Sequence, residues 1–170
     1  MHELKVCTRD SDHCVATWGP VLIQVWRYTP TRQAVLQMVQ VADMLIGAQP
    51  SRRIFSIGVV ERTSPAPNRE ARDALVQFHR SLVPHVTELI VVPLGGPLRG
   101  AVIRGVGVAL SSLTTGGLRF RFVDSTAGAA ALVAPLLPAE TGGAPALDAA
   151  LQAARVIANT ASADKPWIRI

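Results

Sequence analysis

The run Ile54-Phe-Ser-Ile-Gly-Val-Val60 constrains this chain more than any other segment. It is nearly all apolar and rich in β-branched and aromatic residues, the pattern of a strand covered on both faces. A polar loop with Pro65 and Pro67 follows, and then Arg69 to Leu82, where Ala71, Leu75, Phe78 and Leu82 recur at helical spacing. Asn68 suits the cap of that helix, and Pro84 ends it. The stretch from Arg53 to Leu82 therefore reads as strand, loop and helix at the centre of an α/β sheet. Its loop lies at the carboxyl end of the strand, where such sheets place their working surface.

The remaining segments extend that sheet on both sides. Leu4–Arg9, His13–Trp18 and Val21–Arg27 read as strands, separated by the turns Asp10-Ser11-Asp12 and Gly19-Pro20. Turns this short imply an antiparallel meander. Thr29-Pro30 opens a helix that ends near Gly47, with Val35, Met38, Val39, Ala42, Leu45 and Ile46 as its apolar side. Leu89–Val92 is a second strand of the two-sided kind. A helix from Leu98 to Thr114 carries Leu98, Val102, Val106, Ala109, Leu110 and Leu113 at helical spacing. Its Gly100, Gly105 and Gly107 weaken it by about 1 kcal/mol each relative to Ala. They fit a helix face lying flat against the sheet or against another chain. Leu118–Val123 alternates strictly, as an edge strand does, with Arg119 and Arg121 toward water. Asp124-Ser125-Thr126 caps a short helix reaching Leu137.

The expected fold is thus α/β and layered: an antiparallel strand meander, then alternating helices and strands, then an extra C-terminal helix. The expected organisation is an α/β domain over 1–137, a Pro/Gly-rich linker over 138–145, and a C-terminal helix and tail over 146–170. Leu147, Leu151, Ala154 and Ala158 share one side of that last helix.

The 170-residue chain carries a net charge of +5, and only Lys5 and Lys165 of its 17 basic residues are lysine. This arginine bias fits a GC-rich bacterial genome. The arginines are spread along the chain without forming a stripe, so nucleic-acid binding is not expected. Cys7 and Cys14 are too few for a disulfide framework, lie on neighbouring strands, and read as small buried apolar residues. No His or Cys spacing suits a metal, and no cofactor motif is present. The N-terminal residues lack the apolar core of a signal peptide, and no apolar run approaches the ~18 residues of a membrane span. A cytoplasmic protein is expected.

The chain shows no catalytic constellation. His13 and Cys14 are adjacent on a strand and therefore point to opposite faces. Ile54-Phe-Ser-Ile-Gly58 lacks the first glycine of a nucleophile elbow, and Ser56 falls inside the strand. His79 is placed on the partly solvated side of its helix, and His85 in a turn. Gly95, Gly96 and Arg99 follow a strand and open a helix, so with Arg62 they are the candidate contacts for an anion or other ligand. The lysine of a P-loop is missing there, and tight-turn geometry accounts for the glycines. Trp167, Ile168 and Ile170 form an apolar cluster near the C-terminus and are candidate interaction residues, with their own domain, a neighbouring subunit or another protein as the surface.

Four segments carry a family resemblance: Val25-Trp26-Arg27; Ile57-Gly-Val-Val-Glu61 with its loop and Arg-containing helix; Gly96 to Arg104 with Leu110; and Phe120 to Leu132. On these the chain resembles the small bacterial STAS-like proteins, relatives of the anti-sigma-factor antagonists, including the stand-alone versions found in myxobacteria. The resemblance covers roughly residues 3–137. It implies a STAS-like fold and a non-catalytic interaction module. It also implies a phosphoacceptor Ser or Thr in the loop after a central strand, which here means Thr63 or Ser64. The family's antagonists carry an Asp-Ser pair against the helix start, whereas this chain has Glu61-Arg62 before the hydroxyls and two prolines after them.

The expected function is a non-catalytic regulatory module that binds other proteins and associates with itself as a homo-oligomer. The alternative is a small-molecule or lipid-binding domain, or an enzyme, with its site at the strand ends around 61–68 and 95–99.

Overall fold

The computed structural model describes residues 2–86, 88–113 and 119–160, the side chains of 88 and 109–113 excepted. Trp167, Ile168 and Ile170 lie outside the described residues. The chain forms an α/β fold around one six-stranded mixed sheet. The strands are β1 (Leu4–Arg9), β2 (His13–Trp18), β3 (Val21–Trp26), β4 (Phe55–Val60), β5 (Glu88–Pro93) and β6 (Arg119–Phe122). They lie side by side in chain order, with β1 to β3 antiparallel and β3 to β6 parallel.

Alternation along the strands divides the core into two layers. Val21, Ile23 and Val25 of β3, Ile57 and Val59 of β4, and Ile90 and Val92 of β5 point to one face. That face is covered by α4 (Thr126–Val133) and α5 (Gly143–Thr160). Leu22 and Trp26 of β3 point to the other, with α1 (Arg32–Ala48) and α2 (Arg69–Leu82) over them. The helix α3 (Pro97–Leu113) lies on this second side and packs on β5, β6 and α2.

Both boundaries of α1 and one of its buried positions differ from the sequence expectation. Thr31, not Thr29, caps α1, its side chain accepting from the Ala34 N–H at 3.1 Å. Pro30 lies just outside, two positions before the first helical residue, Arg32. Gly47 sits within α1, and Gln49 closes the helix just before Pro50. Val41 is buried on α1, while Val39 is only partly covered. The cap at Asn68 stands where expected, accepting from the Ala71 N–H at 2.9 Å. The edge position of β6 and the outward Arg119 and Arg121 also match.

Cys14 is buried as expected, but Cys7 is exposed. The pairing of β1 with β2 skips Cys7 between Val6 and Thr8, so a bulge breaks the alternation that would have turned it inward. Residues 138–145 are folded rather than extended: Ala139–Thr141 form a 3-10 turn, and α5 already begins at Gly143. Helix α5 is part of the same core. Its Leu147, Leu151, Ala154 and Ala158 are fully buried over the face of β1 to β3. Gln152 donates to the Thr126 hydroxyl at 2.6 Å and so ties α5 to α4. Among the described residues no helix is long and apolar enough to cross a membrane.

Losing α5 would uncover half of one sheet face. Leu151→Ala is expected to cost about 2–5 kcal/mol in urea denaturation. A chain ending at Leu137 is expected to lose its cooperative transition; full retention of that transition would contradict the assigned role of α5.

Candidate functional site

The parallel register aligns Leu22 with Ser56 and Gln24 with Gly58 on the α1–α3 side of the sheet. Two polar side chains and a glycine therefore occupy the middle of a face that is otherwise apolar. The Gln24 amide donates to the Ser56 hydroxyl at 2.8 Å, which satisfies both inside the core. Gly58 contributes no side chain. A Cβ there would meet nothing nearer than the Gln24 amide oxygen at 3.9 Å and the Ile90 carbonyl at 4.0 Å. The result is a hollow of about 130 Å³ above β4.

Four elements wall this cavity. Val60, Leu89, Val91, Phe120 and Phe122 come from the sheet, Leu75 and His79 from α2, and Ile103 and Val106 from α3. The loop from Ser64 to Pro67 closes one side, where the prolines hold an extended backbone over the opening. Gly107 lets α3 approach β6: a Cβ there would sit 2.4 Å from the Phe122 ring. The sequence expectation that α3 lies flat on the sheet holds at this point. Its buried side is only partly the expected one, however, because Leu98 is 87% exposed and Val102, at the cavity's rim, 61% exposed. The helix rests on Val106, as expected, together with Ile103 and Gly107, while the side chains of Ala109, Leu110 and Leu113 lie outside the described ones.

His79 is 4% exposed, not partly solvated. It packs edge-on against the Phe120 ring at 5.0 Å, and its Nδ1 is buried without a partner. Helical spacing alone put it beside the solvated arginines. The arrival of β6 and α3 over α2 covers it. Burial in this apolar setting pushes the His79 pKa down to about 4, so the ring is neutral at physiological pH.

Arg99 links the cavity to the loop. One of its terminal nitrogens donates to the Glu61 carbonyl at 3.0 Å and to the Ser64 carbonyl. The guanidinium thus holds the base of the loop against the first turn of α3. Gly95 and Gly96, with φ of +113° and +92°, form the turn that makes this reach possible. A Cβ at Gly95 would meet Arg99 Cδ at 2.7 Å and Arg62 Cγ at 3.0 Å. Of the expected ligand contacts, Arg99 therefore lines the apolar cavity, whereas Arg62 and Gly95 line a separate cleft on the other side of the loop.

The two loop hydroxyls differ sharply. Thr63 is exposed, and its hydroxyl donates to the Arg27 carbonyl at 2.6 Å. Ser64 is 2% exposed and donates to the Tyr28 carbonyl at 2.9 Å. A modifying enzyme can approach Thr63 from solvent, but Ser64 only after the loop has left the sheet.

Glu61 was legible as a strand-end residue, but its partner was not. It forms a two-point ion pair with Arg155 of α5, at 2.6 and 3.3 Å. This joins the carboxyl end of β4 to a helix 94 positions later. His13 and Cys14 do point to opposite faces. His13 stacks on Trp26 and meets Asp10 at 2.9 Å, while Cys14 packs into the α4–α5 side. Burial raises the Cys14 pKa to about 11, which keeps it a thiol. Among the described residues no three His, Cys, Asp or Glu side chains gather as metal ligands would.

No family model matches this chain, and no curated protein or solved structure does.

The unfolded chain takes up a proton on His79 near pH 6.5, whereas the folded one resists it down to about pH 4. In that window the unfolded state binds more protons, so acid favours unfolding. Stability is expected to fall by up to about 3 kcal/mol between pH 6.5 and 4. His79→Leu is expected to flatten that part of the profile in urea melts. An unchanged pH slope in the variant would count against a neutral, buried His79.

Proposed function

We propose that this protein is a binding module whose cavity above Gly58 receives a small, mainly apolar molecule with one polar group. What carries this reading is the cavity's composition: aliphatic and aromatic walls from four elements, with Gln24, Ser64, His79 and Arg99 as its polar features. Ligand sites have this character, apolar with a few placed polar groups. At about 130 Å³ the space is close to that of an engineered apolar cavity known to take a benzene-sized ring. The neutral His79 favours a neutral partner group such as a hydroxyl or an amide. The described lining holds no Asp, Glu or Cys. Its one hydroxyl, on Ser64, is engaged by the Tyr28 carbonyl.

A full-chain thermal-shift screen with phenol, indole and short fatty acids tests this. At least one probe is expected to raise Tm saturably. Gly58→Val is expected to fold, because the space at its Cβ is open, and to abolish the shift by filling the cavity. A shift that persists in Gly58→Val, or none from any probe, would refute the reading.

A second reading, protein association in the manner of the STAS-like modules, is favoured by the outer side of α3. Leu98 and Val108 are exposed there, with Arg104 as the charge between them. The order of three strands followed by alternating helices and strands also agrees with that resemblance. In this reading Thr63 is the reachable phosphoacceptor, and the added charge would lie beside Arg62. The partner is a second copy of the chain or another protein. Light scattering is expected to show an oligomer that Leu98→Glu dissociates; a monomer at every concentration would remove self-association.

A further inference from the structure

The 61–64 loop has a second side. There the ends of β3, β4 and β5 and the last turns of α5 enclose a cleft of about 470 Å³. Its polar lining is Arg27, Glu61, Arg62, Thr63, Arg155 and Asn159. Three guanidinium groups thus face one carboxylate. Glu61 is committed to Arg155 through both of its oxygens, and those two charges cancel.

Among the described residues, Arg27 and Arg62 are left without an acid. Arg27 is held in place by backbone carbonyls, donating to Ser11 at 3.3 Å and Ala158 at 3.1 Å, and its guanidinium lies 5.3 Å from the Tyr28 ring centre. Its Nε is buried without a partner. Arg62 is exposed, and no hydrogen bond or ion pair engages it among the described residues. Thr63 has its hydroxyl turned to the Arg27 carbonyl, so it competes with neither guanidinium.

Two uncompensated positive charges in a recess raise the local concentration of anions. Guanidinium groups match phosphate oxygens in geometry and charge, and a fixed guanidinium loses little freedom on binding. Gly95, on the same wall, precedes α3, and Gly96 has no side chain with which to cap that helix.

We propose that this cleft binds a phosphate group, free or carried on a nucleotide, with Arg62 and Arg27 as its contacts. The site is distinct from the apolar cavity, since the loop and the Arg99 contacts stand between them. It stands or falls independently of the reading above.

The test is thermal unfolding of the full chain at fixed ionic strength, with chloride exchanged for inorganic phosphate, pyrophosphate or ADP. A saturable rise in Tm is expected, about 4 °C at ten times the half-saturating concentration. Arg62→Gln is expected to lose it; the exposed side chain makes no contact that folding needs. Arg104→Gln removes the same charge from the outer side of α3 and is expected to keep it. Gly58→Val is expected to keep it as well, which separates this site from the cavity. Equal half-saturation by phosphate and ADP identifies free phosphate as the ligand, and a value at least tenfold lower for ADP identifies a nucleotide. No saturable rise with any of the three overturns the proposal. So does a rise that survives Arg62→Gln or is lost equally in Arg104→Gln.

Discussion

The two-sided burial of β3, β4 and β5 sets the terms for every other element. Strands apolar on both faces must be covered twice, or their side chains remain in water at roughly 25 cal/mol per Å² of apolar surface. The chain covers one face as it builds the sheet, laying α1, α2 and α3 there between successive parallel strands. It covers the other face only afterwards, with α4 and α5. Helix α5 returns over the antiparallel strands made at the start, so the first and last parts of the chain share one core. The Glu61–Arg155 pair closes that return at the carboxyl edge, where β4 ends beside α5.

Covering the α1–α3 side is incomplete in one place, and the reason is local. Gly58 supplies no side chain at the middle of β4, and Gln24 beside it is polar and turned to Ser56. Helices pack on sheets by filling such positions with aliphatic groups. Here the position is open, and α3 spans it on a few contacts. Arg99 then fixes the start of α3 to the loop that overhangs the opening. The same loop separates two unlike spaces, one apolar and one basic.

The strand and helix order was legible because it rests on periodicity: Ile54–Val60 could only be a doubly covered strand, and Asn68 had one role to play. Boundaries were less so. Thr29 and Thr31 both precede an apolar stripe and both can cap, so spacing does not choose between them. The site was half legible. Alternation along Val21–Trp26 and Phe55–Val60 already puts Gln24, Ser56 and Gly58 on one face, but the register that sets Gln24 beside Gly58 is a tertiary fact. His79 and Arg155 were hidden for the same reason. A histidine among arginines on a helix looks solvated until another strand covers it, and nothing near Arg155 in sequence points to Glu61. The outward turn of Leu98 and Val102 ran against helical patterning, because α3 is apolar on both sides and spacing cannot choose between them.

The most direct measurement is a methyl NMR titration of the full chain with indole, with valine and leucine methyls labelled. Indole in the cavity above Gly58 should shift Val60, Leu75, Val91 and Val106 saturably. The methyls of Val25, Val133 and Leu151, on the opposite face, should stay unmoved. Shifts spread equally over both faces, or none at the cavity residues up to the solubility limit of indole, would contradict a ligand site between α3 and the sheet.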